Sequence, residues 1–261
     1  MLEQARSHFV SLDCLFLFYL HFKPESNNLS GLLQPEIAVL DKLQALVLSG
    51  NKLRGNLLTD LSELSLLRIL DIERNMLTGA PWDIVVKLQE LTSLRISQNR
   101  FSGSIPANIG DLSGLIDFWV AANQFTGTLP STVGLLTSLR HLIVYENDLT
   151  GTIPPEIASC DLRSLLAFRN RLDGSIPEEL FDNSDLSMLR LDDNGFTGAL
   201  PPQIGGVENL SDLRLGNNQL SGNLPLSIFA LNQLSTFRRK KSYNTDATFL
   251  TICLCNMQTF L

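Results

Sequence analysis

Apolar residues return along this chain in the pattern L-x-x-L-x-L-x-x-N, as in Leu43, Leu46, Leu48 and Asn51, and again in Leu186, Leu189, Leu191 and Asn194. The beat is marked by Asn27, Asn51, Asn75, Asn99, Asn123, Asn147, Asn170, Asn194 and Asn218, spaced 24 residues apart except for 23 between Asn147 and Asn170. Glycine keeps the same beat four residues later, from Gly31 and Gly55 through Gly222. Two registers of one period indicate a repeat architecture in which each unit is one coil of a solenoid. Leucines at i and i+2 predict a short strand whose alternate side chains point inward. After the glycine an apolar residue and a proline recur, at Ile105–Pro106, Leu129–Pro130, Ile153–Pro154, Ile176–Pro177, Leu200–Pro201 and Leu224–Pro225. Proline fixes φ and removes a donor, so this far side of each coil is expected to be extended or turn-like and to hold no long helix. One coil cannot bury its own leucines; coil stacked on coil makes a continuous core. The asparagine amide, placed where the strand bends, is expected to satisfy backbone groups that the turning chain leaves unpaired, and the glycine to supply a positive φ or close packing between coils.

Strand residues that alternate with the inward leucines must face the other side of the sheet, the concave side of a curved solenoid. One column runs Val47, Asp71, Arg95, Trp119, Ile143, Leu166, Arg190, Arg214, and its neighbour Ser49, Glu73, Ser97, Ala121, Tyr145, Phe168, Asp192, Gly216. A third runs Gly50, Arg74, Gln98, Ala122, Glu146, Arg169, Asp193, Asn217. Trp119, Ile143, Tyr145, Leu166 and Phe168 thus fall on three successive coils as an apolar and aromatic patch, flanked by Asp71, Glu73, Arg74 and Arg95 on one side and Glu146, Arg169, Arg190, Asp192, Asp193 and Arg214 on the other. Such patches mark interaction sites, and an extended peptide of mixed charge suits the strip. The competing reading is that these side chains pack on one another and stiffen the sheet; their clustering favours binding.

Composition narrows the partner. A net charge of −7 argues against nucleic acid, which needs a concentrated basic face. Cys14, Cys160, Cys253 and Cys255 lack the paired spacing of a metal site or a disulfide framework; Cys160 reads as a small core residue, and no cofactor is expected. His8, His21 and His141 lie far apart, and the chain shows no nucleophile elbow, no H-E-x-x-H and none of the three kinase motifs, so it is not expected to be an enzyme. The apolar run from Cys14 to Phe22 has the length of a signal h-region, but Glu3 and Asp13 are poorly placed and no small-x-small cleavage site follows, so secretion is weakly signalled. No stretch approaches the ~18 to 20 apolar residues that span a bilayer. Asn28-Leu29-Ser30 and Asn209-Leu210-Ser211 are glycosylation acceptors if the chain enters the secretory path.

The full unit, seen from Leu139 through Leu142, Val144, Asn147, Leu149 and Gly151 to Ile153–Pro154, resembles the plant-type leucine-rich repeat of receptor-like kinase and receptor-like protein ectodomains. The resemblance implies an α/β-type repeat solenoid: a right-handed horseshoe or superhelix with short parallel strands on the concave face and 3-10 or extended segments on the convex face. It divides the chain into an irregular apolar segment (1–26), about nine repeats (27–237) and a basic, then apolar tail (238–261). It also implies a glycoprotein at the cell surface that binds a peptide or protein ligand in signalling, with a co-receptor ectodomain as a further partner. The chain departs from the family at both ends: it has no W-x-G-V-x-C cysteine cap, and Arg238 to Lys241 interrupt the repeat, with Arg239 where an inward leucine belongs. The expectation from these departures is a piece of a longer product. Alternatives are a secreted defence protein similar to polygalacturonase inhibitors, and a truncated product without independent function.

Overall fold

The computed structural model describes residues 21–22 and 25–238. Each coil contributes one short strand to a ten-stranded, wholly parallel sheet that runs from His21–Phe22 and Ala45–Val47 through Ser93–Arg95, Asp117–Trp119, His141–Ile143 and Ser164–Leu166 to Thr236–Arg238. The register is constant, with Leu46 opposite Leu70, Leu94 opposite Phe118 and Leu142 opposite Leu165, so the inward residues form straight rows. His21–Phe22 pairs with Ala45–Leu46, which begins the sheet inside the segment expected to be irregular. The calls on Cys14, Cys253, Cys255, His8, the signal-like run from Cys14 to Leu20 and the tail beyond Arg238 lie outside the described residues.

The far side of the coils is built from one-turn 3-10 helices, such as Ala107–Asp111, Ser131–Leu135, Pro155–Ser159 and Leu226–Ala230. Pro106, Pro130 and Pro154 each stand just before one in extended conformation, with ψ of 157°, 144° and 132°. The expectation of no long helix is met because proline cannot donate within a ladder and prefers the entrance of a helical turn. One coil differs. There Pro81 takes the place of the apolar residue and sits in helical conformation (ψ −9°), so that Trp82–Val85 forms a single α-helical turn. Trp82 fills the resulting space and packs on Phe118 and Phe125, with ring centroids at 6.2 and 5.0 Å.

Between the concave strands and these turns lies a second, seven-stranded parallel sheet, from Ser30–Gly31 and Lys52–Asn56 through Arg100–Ser104 and Asp148–Gly151 to Arg171–Leu172. Its inter-coil bonds continue past the last strand, as in Thr197 N–H to Gly174 O at 2.8 Å. The chain turns from one sheet to the other through a residue in the left-handed region: Arg74, Gln98, Ala122, Glu146, Arg169, Asp193 and Asn217 all have φ between 51° and 56°. The third column of the sequence reading is therefore this turn at the rim of the concave sheet, and not part of its strands.

The asparagine that follows each turn holds it in place. Asn147 accepts from Phe125 N–H of the preceding coil at 3.0 Å. Its amide nitrogen donates to Val120 O of that coil and to Val144 O of its own, both at 3.1 Å. The same pattern repeats at Asn75, Asn123, Asn170 and Asn194. Four residues on, glycine is required twice over: Gly151 has φ +72°, and a Cβ there would lie 2.9 Å from Thr128 Cγ2 of the coil before. The core is one cluster from Leu33 to Phe237, with Phe101, Phe118, Phe125 and Phe196 fully buried. Cys160 belongs to it; burial pushes its thiol up to about 11, as expected of a core residue and not of a reactive one.

Candidate functional site

The concave strands place the residues singled out in the sequence on three adjacent coils. Trp119 stands opposite Ile143, and Ile143 opposite Leu166, each pair in register. Tyr145 and Phe168 lie beside them with rings stacked at 4.4 Å and 6°. The expected patch is therefore contiguous. Its exposure is uneven: Ile143 is buried at 9 %, whereas Trp119, Tyr145, Leu166 and Phe168 are half-buried. Neighbours within the sheet cover Ile143, so it supports the surface and offers little of it. Trp119 is capped on its other side by Arg95, whose Cζ lies 4.2 Å from the ring centroid.

Four of the flanking arginines are already engaged. Arg95 Nη2 donates to Asp117 Oδ2 at 2.8 Å, and Ser93 Oγ donates to the same oxygen at 3.0 Å. Arg190 Nε donates to Asp212 Oδ2 at 2.7 Å, and Arg214 Nε to Asp212 Oδ1 at 3.0 Å. Arg169 pairs with Glu146 and lies 3.7 Å from Asp193. Glu146 and Arg169 thus sit together at the rim turn, beside the stacked rings. Asp192 has a buried Oδ1 without a hydrogen-bond partner, and burial holds its carboxyl above the usual range. Burial likewise raises Asp71 and Glu73 on the other side of the patch.

Beside Asp71 the surface dips into a recess of about 410 Å³, lined by Glu25, Val47, Ile69, Asp71, Thr92, Ser93, Arg95, Ile116 and Asp117. Its lining is apolar at Val47, Ile69 and Ile116 and acidic at Glu25, Asp71 and Asp117. Ile69, Ser93 and Asp117 were missed because the sequence columns began two residues too late: with His141 they form a concave column of their own, while Thr92 and Ile116 stand one residue ahead of it and Glu25 lies outside the columns. The same alternation would have found that column. Among the described residues no group of His, Cys, Asp and Glu side chains is placed to hold a metal, and no helix is long and apolar enough to cross a membrane. Asn28 and Asn209 are both exposed, and the Asn209 amide donates to Ser184 O at 2.9 Å.

The profile of the Leucine Rich Repeat family matches residues 42–64, 90–112, 138–160 and 209–231. Among solved structures, the plant peptide hormone receptor RGFR1 in complex with RGF2 is 35% identical, with a TM-score of 0.81 over 83% of this chain and 35% of that one. The Arabidopsis receptor kinase HAESA, in complex with the peptide hormone IDA and the co-receptor SERK1, is 33% identical, with a TM-score of 0.76 over 83% of this chain and 37% of that one. A plant ice-binding protein is 29% identical, with a TM-score of 0.76 over 84% of this chain and 71% of that one. The chain spans little more than a third of the two receptors' length. No curated protein matches it in sequence.

Proposed function

We propose, from the premise that this chain is a leucine-rich-repeat solenoid with the ectodomains of plant receptor kinases among its structural neighbours, that it binds an extended peptide along its concave sheet as part of a receptor-like kinase ectodomain. The observation that carries this reading is the half-buried aromatic run of Trp119, Tyr145 and Phe168 on adjacent coils, bordered by matched charges. A flat aromatic surface supplies area and desolvation, and the ordered ion pairs around it fix side chains before a ligand arrives, which lowers the entropy lost on docking. Leu166 extends the apolar surface, Ile143 supports it from below, and Arg95, Glu146, Arg169, Arg190 and Asp192 offer polar contacts to the backbone and side chains of the peptide.

Placement at the cell surface, attachment to a membrane through sequence other than that described, a role in signal transduction, N-linked glycans on Asn28 and Asn209, and a co-receptor ectodomain that docks beside the peptide all belong to this proposal. Binding, not catalysis, is the activity assigned.

The test is selection of a random dodecapeptide library on the 261-residue chain, followed by affinity measurement on the double variant Trp119→Ala/Phe168→Ala. Both side chains project from the sheet, so circular dichroism should remain that of the parent. The expected result is a loss of at least tenfold for the selected peptides. Peptides that bind parent and double variant equally would remove the patch from the function.

A further inference from the structure

The chain contains one Asn-Gly pair, Asn194–Gly195, and it stands on the asparagine ladder. In the other coils the ladder residue is followed by one with a side chain, as at Lys52, Arg100, Gln124 and Gln219. Both ends of the Asn194 amide are engaged. Its Oδ1 accepts from Leu172 N–H at 3.0 Å, and its Nδ2 donates to Ala167 O at 2.9 Å, Leu191 O at 3.1 Å and Asp192 O at 3.3 Å. Gly195 N–H donates to Leu172 O at 2.6 Å. This coil is also where the second sheet gives out: its last strand is Arg171–Leu172 of the coil before, and beyond it the described residues form only the isolated bridge between Ser175 and Thr197.

An asparagine followed by glycine is the pair in which the main chain most readily turns on its own side chain. With no Cβ on the following residue, the Gly195 nitrogen can approach Asn194 Cγ and attack it. The new N–C bond closes a succinimide ring, the Cγ–Nδ2 bond breaks, and Nδ2 leaves as ammonia with the proton that Gly195 N gives up. Water then adds to either carbonyl of the ring, which opens to aspartate or to isoaspartate. In the closed coil neither partner is free to react: the attacking N–H is tied to Leu172 O, and the amide is held by Leu172, Ala167, Leu191 and Asp192. The bonds to Leu172 and Ala167 reach the preceding coil, so separation of the two coils releases the nitrogen and the amide together.

We infer that Asn194–Gly195 is a site of spontaneous deamidation, shielded while its coil is closed and exposed when the C-terminal coils of this chain open. The pair follows Met188–Arg190, with only Asp212–Arg214 and Thr236–Arg238 beyond it in the concave sheet, and a linear stack of coils frays from its ends. The change does not run back. An aspartate at this position has no donor for the carbonyls of Ala167, Leu191 and Asp192, and it sets a negative charge against their oxygens beside Asp192 and Asp193. Isoaspartate also adds a carbon to the main chain and shifts the register. A coil that has opened and reacted therefore cannot close as before, and the end of the concave strip that carries Arg190 and Asp192 loosens with it.

The test is incubation of the full chain in mildly alkaline buffer, folded and in guanidinium chloride, with the tryptic peptide from Leu191 to Arg214 followed by mass spectrometry; its fragment ions separate Asn194 from Asn209. In guanidinium chloride Asn194 should convert ahead of every other asparagine. Gly195→Gln, which gives the pair found at Asn123–Gln124, should bring it down to their rate. In the folded chain the conversion should be slower by roughly tenfold or more, set by the fraction of time the coil is open. Leu213→Ala, in the adjoining strand, should speed the folded-state reaction, whereas Leu70→Ala, far along the stack, should not. Conversion at one rate in both conditions would show that the fold gives no shield; another asparagine converting first, or a Gly195→Gln chain as fast as the parent, would remove the site. Acceleration by both leucine variants equally, or by neither, would overturn opening from the C-terminal side. None of these readings depends on Trp119, Phe168 or a ligand, so they stand apart from the library selection.

Discussion

Asp71 shows how burial of one charged side chain on the concave face works against the fold. Burial raises its carboxyl above the usual 3.8, against the lowering effects of the Glu73 N–H bond, the Arg95 charge and the Ser49 hydroxyl. An acid whose folded value lies above its unfolded one favours the folded state fully below pH 3.8, and that contribution is lost as pH rises through the folded value. At pH 7 the buried carboxylate is therefore a burden on the fold. Asp71→Asn keeps an oxygen for the Glu73 N–H and removes the charge. Its urea midpoint should exceed that of the parent at pH 7, with the difference closing as the solution is brought below pH 3.8. A difference that is constant over this range would show that the charge is not the cause. The same carboxylate lines the recess beside it.

At the scale of the coil, the asparagine ladder is the main polar element of the core. Removal of the Asn147 amide leaves the buried Phe125 N–H without its partner and takes one of two amide donors from Val120 O and from Val144 O, which keep Asn123 and Asn170. With about 1 to 3 kcal/mol for a buried group left unsatisfied, Asn147→Ala should lower the unfolding free energy by about that much, whereas the exposed Asn108→Ala should leave it nearly unchanged. Equal urea midpoints for the two variants would contradict this account. The ladder was legible in the sequence as a role at the bend; that each amide ties two coils together was not, since the inter-coil partner lies 22 to 27 residues away. The inward leucine rows and the turn-like far side were equally legible, because period-two alternation and proline spacing encode them directly. The second sheet was not: Arg100–Ser104 buries only Phe101 and is held by backbone bonds, which leave no side-chain pattern. Nor did Arg74, Glu146 or Arg169 announce a left-handed turn, as the usual glycine stands there only at Gly50. At the candidate site, alternation gave the direction of Trp119 and Ile143 but not their cover, which depends on what the adjoining coils happen to carry.

For the molecule as a whole, each coil touches chiefly its two neighbours, so stability is distributed as a chain of similar interfaces. The outermost described coils carry exposed apolar residues, Leu32 and Val39 at one end and Leu226 and Phe229 at the other, and each of these coils has a described neighbour on one side, whereas an inner coil has one on both. Amide hydrogen exchange on the 261-residue chain should therefore show protection highest at Leu94, Leu142 and Leu165 and lowest near Leu33 and Phe237, with a gradient from centre to ends. Uniform protection along the solenoid would mean that the coils open together and not in turn. The nearly constant turn, 24 residues in all but one coil, also makes the protein a spool. Along its axis each coil occupies only about 4.8 Å, yet drawn straight its 24 residues measure about 80 Å. Tension applied to the two ends would thus pay out the chain in nearly equal lengths, one winding after another, and a load of that kind would reach the aromatic strip only after the outer windings had been spent.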